Sequence, residues 1–397
     1  MSEWKESKLG AILNLITKGT TPPQGVGFVE KGINYIKSDA IDYNGKLNKS
    51  RFAQIDLATH EKFKRSHLVE DDILFSMAGI YLGKNAIVPK DVLPANTNQA
   101  LAILRLNQEK TLPRYVSYYL SQPQIIDFVN NMSGQSAQPN INFEEIKSIE
   151  ITLPPLPEQR AIASILSGLD DKIDLLHRQN ATLEAMAETL FRQWFVEEAK
   201  EEWEEITLYD AIDLIGGGTP KTSLPEYWDG DIKWLSGGDI ANNHKSIIIS
   251  SEKSITELGI KNSSAKLLPK FSTIISARGT VGKYCILSEP MTFSQSNYGI
   301  KPKYESCFFF TYLLIAHSVD ELISAAYGSV FDTITTDTFK GHSVTLPKLD
   351  VIKNFEIEVT PLFQKMLNNQ IQIRTLTALR DTLLPKLMSG EVRVEDV

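Results

Sequence analysis

The feature that most constrains this chain is that it repeats itself once, after about half its length. LGAILNLI at 9–16 returns as LYDAIDLI at 208–215, an offset of 199. Trp4 returns as Trp203, and Gly19-Thr20 as Gly218-Thr219, at the same offset. INYIKSDAI at 33–41 returns as IKWLSGGDI at 232–240. DDILFSMAGIYLGK, ending at Lys84, returns as FSTIISARGTVGK, ending at Lys283. Farther on the offset falls to about 193, pairing Gly134 with Gly328 and Leu153-Pro154 with Leu346-Pro347. LEAMAETLFRQW at 183–194 then lines up with LTALRDTLLPKL at 376–387. One repeat of roughly 200 residues is too long for a solenoid period. It predicts two similar globular modules, each followed by a helix, which suits a chain of 397 residues.

Within each module short apolar runs bounded by turn residues predict strands. They are INYIK, DDILFSM, NAIVP and IEITLP in the first copy, and IKWLS, STIISA, YCILS and HSVTLP in the second. Helical runs at 114–132 and 308–326 lie between them, so each module is expected to be α+β with a mixed, curved sheet.

Residues 158–195 contain no proline, and prolines 154, 155 and 157 stand before them, as at a helix start. Ile162, Leu169, Leu176, Leu183 and Leu190 recur every seven residues, while Leu166, Ile173, Asn180, Ala187 and Trp194 form a second row. That is a coiled-coil seam, with Asn180 as a polar residue able to fix register. A second helix is expected over about 362–388. Its rows are Leu362, Asn369, Leu376, Leu383 and Met366, Ile373, Arg380, Leu387. An apolar stripe must be buried somewhere, and the obvious mate for each helix is the other. The lengths are about 55 Å and about 40 Å at 1.5 Å per residue. Both exceed the roughly 34 Å turn of B-DNA.

Charge complicates a nucleic-acid reading. The net charge is −8, but residues 1–157 sum to +1 and residues 201–347 to −6. A chain this acidic is expected to bind DNA weakly alone and to lean on a partner for electrostatic attraction. Cys285 and Cys307 form no CxxC pair, and the six histidines show no metal spacing. No run of about 18 apolar residues and no signal-like start are present, so a cytoplasmic protein off the membrane is expected. AGIYLGKN and ARGTVGKY lack the first glycine and the Ser/Thr of a phosphate loop. Asp170-Asp171 reads as solvated helix charge.

Assembled in this way, the chain resembles the specificity subunits of Type I restriction enzymes. The resemblance is carried by LPPLPEQ (153–159) running into the heptad helix, and by TLLPKLMSGEVRV (382–394). GTTPP (19–23) and GGGTP (216–220) resemble the module openings, and ARGTVGK (277–283) and QSNYGI (295–300) family positions in the second module. The first module departs there, with MAGIYLGK and NQALAI, and lacks an arginine matching Arg278. The resemblance implies two target-recognition domains (1–154 and 199–348), a central conserved helix (155–198) and a distal one (349–397). The helices would run antiparallel as a coiled coil in a pseudo-twofold repeat.

It further implies a non-catalytic subunit that binds an asymmetric bipartite site on double-stranded DNA. Its partners would be two methyltransferase subunits, which use S-adenosylmethionine, and two restriction subunits, which use ATP and Mg2+. This chain would hold no cofactor itself. Trp194 or Phe195 would be a docking contact. The alternative is a coiled-coil scaffold whose two heads bind protein or carbohydrate.

Reading DNA requires amides and guanidinium groups for base edges, with Lys, Ser and Thr for phosphates. In the first module the candidates are Lys18, Thr20, Thr21, Tyr81, Lys84, Asn98, Gln99, Gln135, Ser136, Gln138, Asn140 and Asn142. In the second they are Thr219, Lys221, Arg278, Thr280, Lys283, Gln295, Asn297, Ser329, Thr333, Thr335 and Thr336. Arg278 suits guanine, the amides suit adenine, and Lys84 and Lys283 suit phosphate.

Overall fold

A computed structural model describes the chain except residues 1–3, 24–25, 43, 80–81, 133–138, 305, 328–331 and 395–397. The protein is α+β, with two sheet-containing domains and a long helix between them in sequence. By compactness it divides into two units. One is Met1–Asp171 with Thr377–Val397, and the other is Lys172–Leu376.

In the first unit a four-stranded sheet runs in the order Leu13–Lys18, Leu101–Leu106, Ile73–Ser76, Asn85–Ile87. A three-stranded sheet places Phe28–Ile36 between Ala53–Ile55 and Ala95–Thr97, antiparallel to the former and parallel to the latter. Lys5–Lys8 pairs with Glu150–Leu153. The helical run foreseen at 114–132 is two helices, Pro113–Leu120 and Pro123–Met132. Pro123 has no N–H to give a continuing helix, so a new one starts there.

The second unit repeats the plan. Its main sheet runs Ile212–Gly216, Asn297–Pro302, Thr273–Ser276, Tyr284–Leu287, Ile247–Ile248. Trp228–Leu235 lies between Lys253–Ile255 and Thr292–Phe293, and Glu204–Thr207 pairs with Ser343–Leu346. All eight strand segments named from the sequence contain strands. Phe308–Tyr327 is one helix, and by length and composition it could cross a membrane. The sequence expectation of a helix over 308–326 holds, and Asp320 and Glu321 interrupt its apolar run. Phe309, Phe310, Tyr312, Leu313 and Ile315 pack it into the core.

The first long helix is Leu156–Arg192, continued by a wider turn over Gln193–Glu197. The second is Leu349–Ser389, which begins well before the expected 362. Pro361 ordinarily ends a helix, since it removes one backbone bond. Here Phe355, Val359 and Phe363, all fully buried, hold the chain helical through it. In the first unit Ile162 and Leu166 are buried against Leu387 and Met388, with Leu383 and Leu384 half-buried beside them. Leu169 is half-buried. In the second unit Ile173 and Leu176 pack on Ile373 and Leu376, and Leu183 and Leu190 line the core farther along. The segments are antiparallel, because rising numbers on one meet falling numbers on the other.

Asn180 and Asn369, one polar residue from each row, meet in the second unit. The Asn369 Nδ2 donates to Asn180 Oδ1 at 2.9 Å, and Asn369 is fully buried. Replacing Asn180 by leucine leaves the buried Asn369 amide only its long 3.4 Å bond to Gln179, which costs about 1–3 kcal/mol. The double variant Asn180→Leu with Asn369→Leu is expected to recover most of that loss, as read by urea unfolding. A double variant no better than the single would remove the pairing as the cause.

Both helices also grip their own module near their start. Gln159, almost fully buried, accepts from Thr111 Oγ1 at 2.9 Å and Leu112 N at 3.0 Å, and its Nε2 donates to Pro154 O at 2.8 Å. It thereby caps the helix Pro113–Leu120. Glu356 accepts from Phe309 N and Phe310 N at 3.0 and 2.8 Å, at the N-terminus of Phe308–Tyr327. Orphan N–H groups and a positive helix end favour an anion there. Asp170 is not solvated charge. It takes a 2.9 Å bond from Arg380 and a 2.6 Å bond from the Tyr118 hydroxyl. Phe195 is not free for docking, and Trp194 keeps only part of its surface open. Phe195 is buried and Trp194 half-buried, in a ring cluster with Phe191, Phe310 and Phe355.

Candidate nucleic-acid interface

Several of the candidate loops of the first module are bonded to one another. Gly19 N donates to Leu101 O at 3.2 Å, and Thr20 N to Thr97 O at 3.0 Å. A Cβ on Gly19 would lie 2.1 Å from Thr97 O, so only glycine allows this approach. Thr21 Oγ1 bonds Gln99, and the Tyr35 hydroxyl donates to Thr20 O at 3.0 Å. Met77 N reaches Ala100 O at 2.9 Å, while Ile141 N reaches Met77 O at 3.0 Å. Residues 18–21, 77–79, 96–100 and 139–141 thus form one connected rim.

The second module builds the same rim with the same bonds. Gly217 N donates to Asn297 O at 3.4 Å, and Gly218 N to Phe293 O at 3.0 Å. Ala277 N donates to Ser296 O at 2.9 Å, and Ile334 N to Ala277 O at 3.1 Å. Trp234 Nε1, in place of the Tyr35 hydroxyl, donates to Gly218 O at 2.9 Å. This corrects the repeat register. Thr20 corresponds to Gly218, not to Thr219. The cause is a bulge in the first copy, where the pairing with Leu101–Leu106 shifts between Leu13 and Leu15; the second copy runs through without one.

Side chains on the two rims differ. In the first module Lys18, Thr21, Gln99 and Asn140 are exposed, and Thr20 and Asn98 are half-buried. The Asn98 Oδ1 is buried without a partner among the described residues. Asn142 is exposed but caps the helix Phe143–Ser148, accepting from Glu144 N and Glu145 N. Lys84 departs from expectation. It is buried, and burial lowers its pKa, so it does not stand out toward a phosphate. Tyr81, Gln135, Ser136 and Gln138 lie outside the described residues.

In the second module Lys221, Arg278, Thr280 and Gln295 are exposed, and Thr219, Lys283, Thr333 and Thr336 are half-buried. Arg278 precedes Gly279, whose φ of 77° makes the left-handed turn that lifts the guanidinium outward. Asn297 is a correction. It is 1% exposed, and its Nδ2 donates to Ser294 Oγ at 2.7 Å, so its amide holds the turn. Thr335 caps Thr336–Gly341. Ser329 lies outside the described residues. Sequence reading missed Arg65, whose Nη2 donates to Thr20 Oγ1 at 3.4 Å on the first rim. The basic run Lys62, Lys64, Arg65 was the available signal.

Residues 1–185 and 200–381 match the model of the Type I restriction modification DNA specificity domain. The chain belongs to this family. Among its relatives is the Type I restriction enzyme MjaIX specificity subunit of Methanocaldococcus jannaschii. It is 27% identical over 330 residues, spanning 77% of this chain and 74% of that one. The Type I restriction enzyme HindI specificity subunit of Haemophilus influenzae is 23% identical over 472 residues, spanning 99% and 100%. A crystal structure of the Type I restriction-modification S subunit from M. genitalium superposes with a TM-score of 0.62. It covers 97% of this chain and 96% of that one, at 17% identity, and speaks for the fold alone. As a member of the specificity family, this chain has two family domains for its two rims. That favours DNA over the protein- or carbohydrate-binding scaffold.

Proposed function

We propose that this chain is the sequence-choosing subunit of a Type I restriction-modification complex, reading one half of an asymmetric, bipartite double-stranded DNA site with each module. The observation that carries this is the pair of rims. One backbone frame is built twice with the same hydrogen bonds, and different side chains stand on it. A common frame suits a common ligand, and differing base-reading groups suit two half-sites. The modules are 1–154 and 199–348, joined to helical segments 155–198 and 349–397.

In this reading the chain works with other subunits of the system. Two methyltransferase subunits bind S-adenosylmethionine, and two restriction subunits use ATP and Mg2+. This chain performs no bond chemistry, and the setting is cytoplasmic. The net charge of −8 fits a chain that shares its grip on DNA with partners.

Mapping methylated adenines in cells with and without this chain, beside its cognate methyltransferase, tests the proposal. A new two-part motif is expected, and its absence despite complex formation overturns the reading. Arg278→Ala is expected to weaken binding by about 1–3 kcal/mol and to relax one base of one half-site. Lys283→Ala is expected instead to weaken all sequences alike, in a filter-binding series over salt concentrations. A motif untouched by Arg278→Ala removes that residue from the rim's readers.

A further inference from the structure

From residue 55 to residue 79 the two copies keep a constant offset of 200, and matched bonds fix it at each step. Ile55 and Ile255 occupy the same sheet position. Asp56 and Thr256 are matching caps, each accepting from the residue three ahead. Leu68 N donates to Ala95 O at 3.0 Å, and Leu268 N to Met291 O at 3.0 Å. Ser76 N donates to Lys84 O and Ser276 N to Lys283 O, both at 2.7 Å. Arg65 therefore stands where the second copy has Ala265, and Arg278 stands where the first copy has Ala78. The exchange is reciprocal: each rim has arginine at one of these two places and alanine at the other.

The surroundings follow the exchange. Where Ala265 is buried, the 264–265 peptide lies so close to Gly218 that a Cβ there would sit 2.2 Å from Ala265 N. The first copy has Thr20 at that place. Its hydroxyl accepts from the Arg65 guanidinium, and Arg65 is exposed. The backbone behind Arg65 is fixed from below. Asn96 Nδ2 donates to Ser66 Oγ at 2.9 Å and to Phe63 O at 3.3 Å. No carboxylate pairs with Arg65 or Arg278 among the described residues.

We infer that Arg65 is a specificity-determining residue of the first module, reading a guanine through its guanidinium. It does the work that Arg278 does in the second module, from a different place on the same frame. The inference rests on the functional reading above. A planar guanidinium with two N–H groups matches the O6 and N7 acceptors of guanine, and a lysine ammonium does not match both in the same fixed fork. Because the two arginines occupy non-equivalent positions, the guanines they read fall at non-equivalent places in the two half-sites.

The test uses the complex of this chain with its cognate methyltransferase and maps methylated adenines for Arg65→Ala, Arg65→Lys and Arg278→Ala. Arg65→Ala is expected to lower discrimination at one base by about 10–100-fold, leaving the other half-site unchanged. Arg65→Lys does not restore it, and Arg278→Ala relaxes only the other half-site. An unchanged urea midpoint for each variant excludes misfolding. Restoration of the motif by Arg65→Lys would mean a contact of charge alone, and overturns the proposal. So does a motif unaltered by Arg65→Ala, or both arginines acting on one half-site. A wild-type complex that marks no fixed sequence overturns the functional reading, and this inference with it.

Discussion

Phe355→Ala is expected to remove about 3–5 kcal/mol from the unit Lys172–Leu376. Phe355 is fully buried. Its ring centroid lies 4.8 Å from Phe195, 5.6 Å from Trp194 and 5.9 Å from Phe191. It also faces Phe310 at 6.4 Å. Four aromatic neighbours cannot all move inward to fill the space left by one ring, so a cavity remains. Domains have only about 5–15 kcal/mol in hand. Urea unfolding followed by tryptophan fluorescence checks the outcome, since Trp194 borders the cavity. A loss below about 1 kcal/mol would mean the ring cluster is not a close-packed core.

Glu184→Gln is expected to act in the opposite direction, and only above mildly acid pH. Glu184 is buried on the first long helix, where it accepts from the Tyr312 hydroxyl at 2.7 Å. Burial, helped by repulsion from Glu188, pushes its pKa from the ordinary 4.5 up to about 7; Tyr312 and Lys245 oppose the rise. Below 4.5 the carboxyl is protonated whether the chain is folded or not, so its full contribution to stability is present. Between pH 4.5 and 7 the unfolded chain releases this proton while the folded one holds it, and past 7 the folded one ionises in the core as well. Stability is lost across that window, by about 3 kcal/mol at most. Glutamine keeps the acceptor for Tyr312 and never ionises. The variant is expected to be more stable than the parent by up to about 3 kcal/mol near pH 8, with no gain below about pH 4.5. Equal stabilities at both ends would show that Glu184 is not desolvated in solution.

Periodicity made the helical pairing legible in the sequence. Ile162, Leu166, Ile173 and Leu176 recur at coiled-coil spacing, and their partners were readable in Ile373, Leu383 and Leu387. Asn180 and Asn369 were each visible as a break in an apolar row, and their meeting follows from antiparallel register. Effects that depend on distant contacts were not legible. Pro361 looks like a helix end until Phe355, Val359 and Phe363 are known to be buried around it. Asp170 looks solvated until Arg380 arrives from more than two hundred residues away. Phe195 looks like a docking residue until Phe310 and Phe355 are placed against it.

The candidate interface was legible as loops and less so as side chains. Its loops were found because glycine and polar clusters mark turns. Lys84 and Asn297 have the right chemistry for DNA but lie inside the turns they help to hold. Arg65 was overlooked because its place on the rim depends on Asn96 and Thr20, neither adjacent to it in sequence. The single added residue at the Leu13–Leu15 bulge hid the true match of Thr20 with Gly218.

The grip of Gln159 and Glu356 on their modules has a consequence for how the protein assembles as it is made. The Leu112 N–H just ahead of Pro113–Leu120, and the Phe309 and Phe310 N–H groups of Phe308–Tyr327, gain their side-chain acceptor only when the following long helix arrives. Each head is therefore expected to complete its packing only after the start of its rod has emerged from the ribosome. Each head and the base of its rod reach the native state as one cooperative event, and a stalled chain ending at the sheet would expose an incomplete helix start.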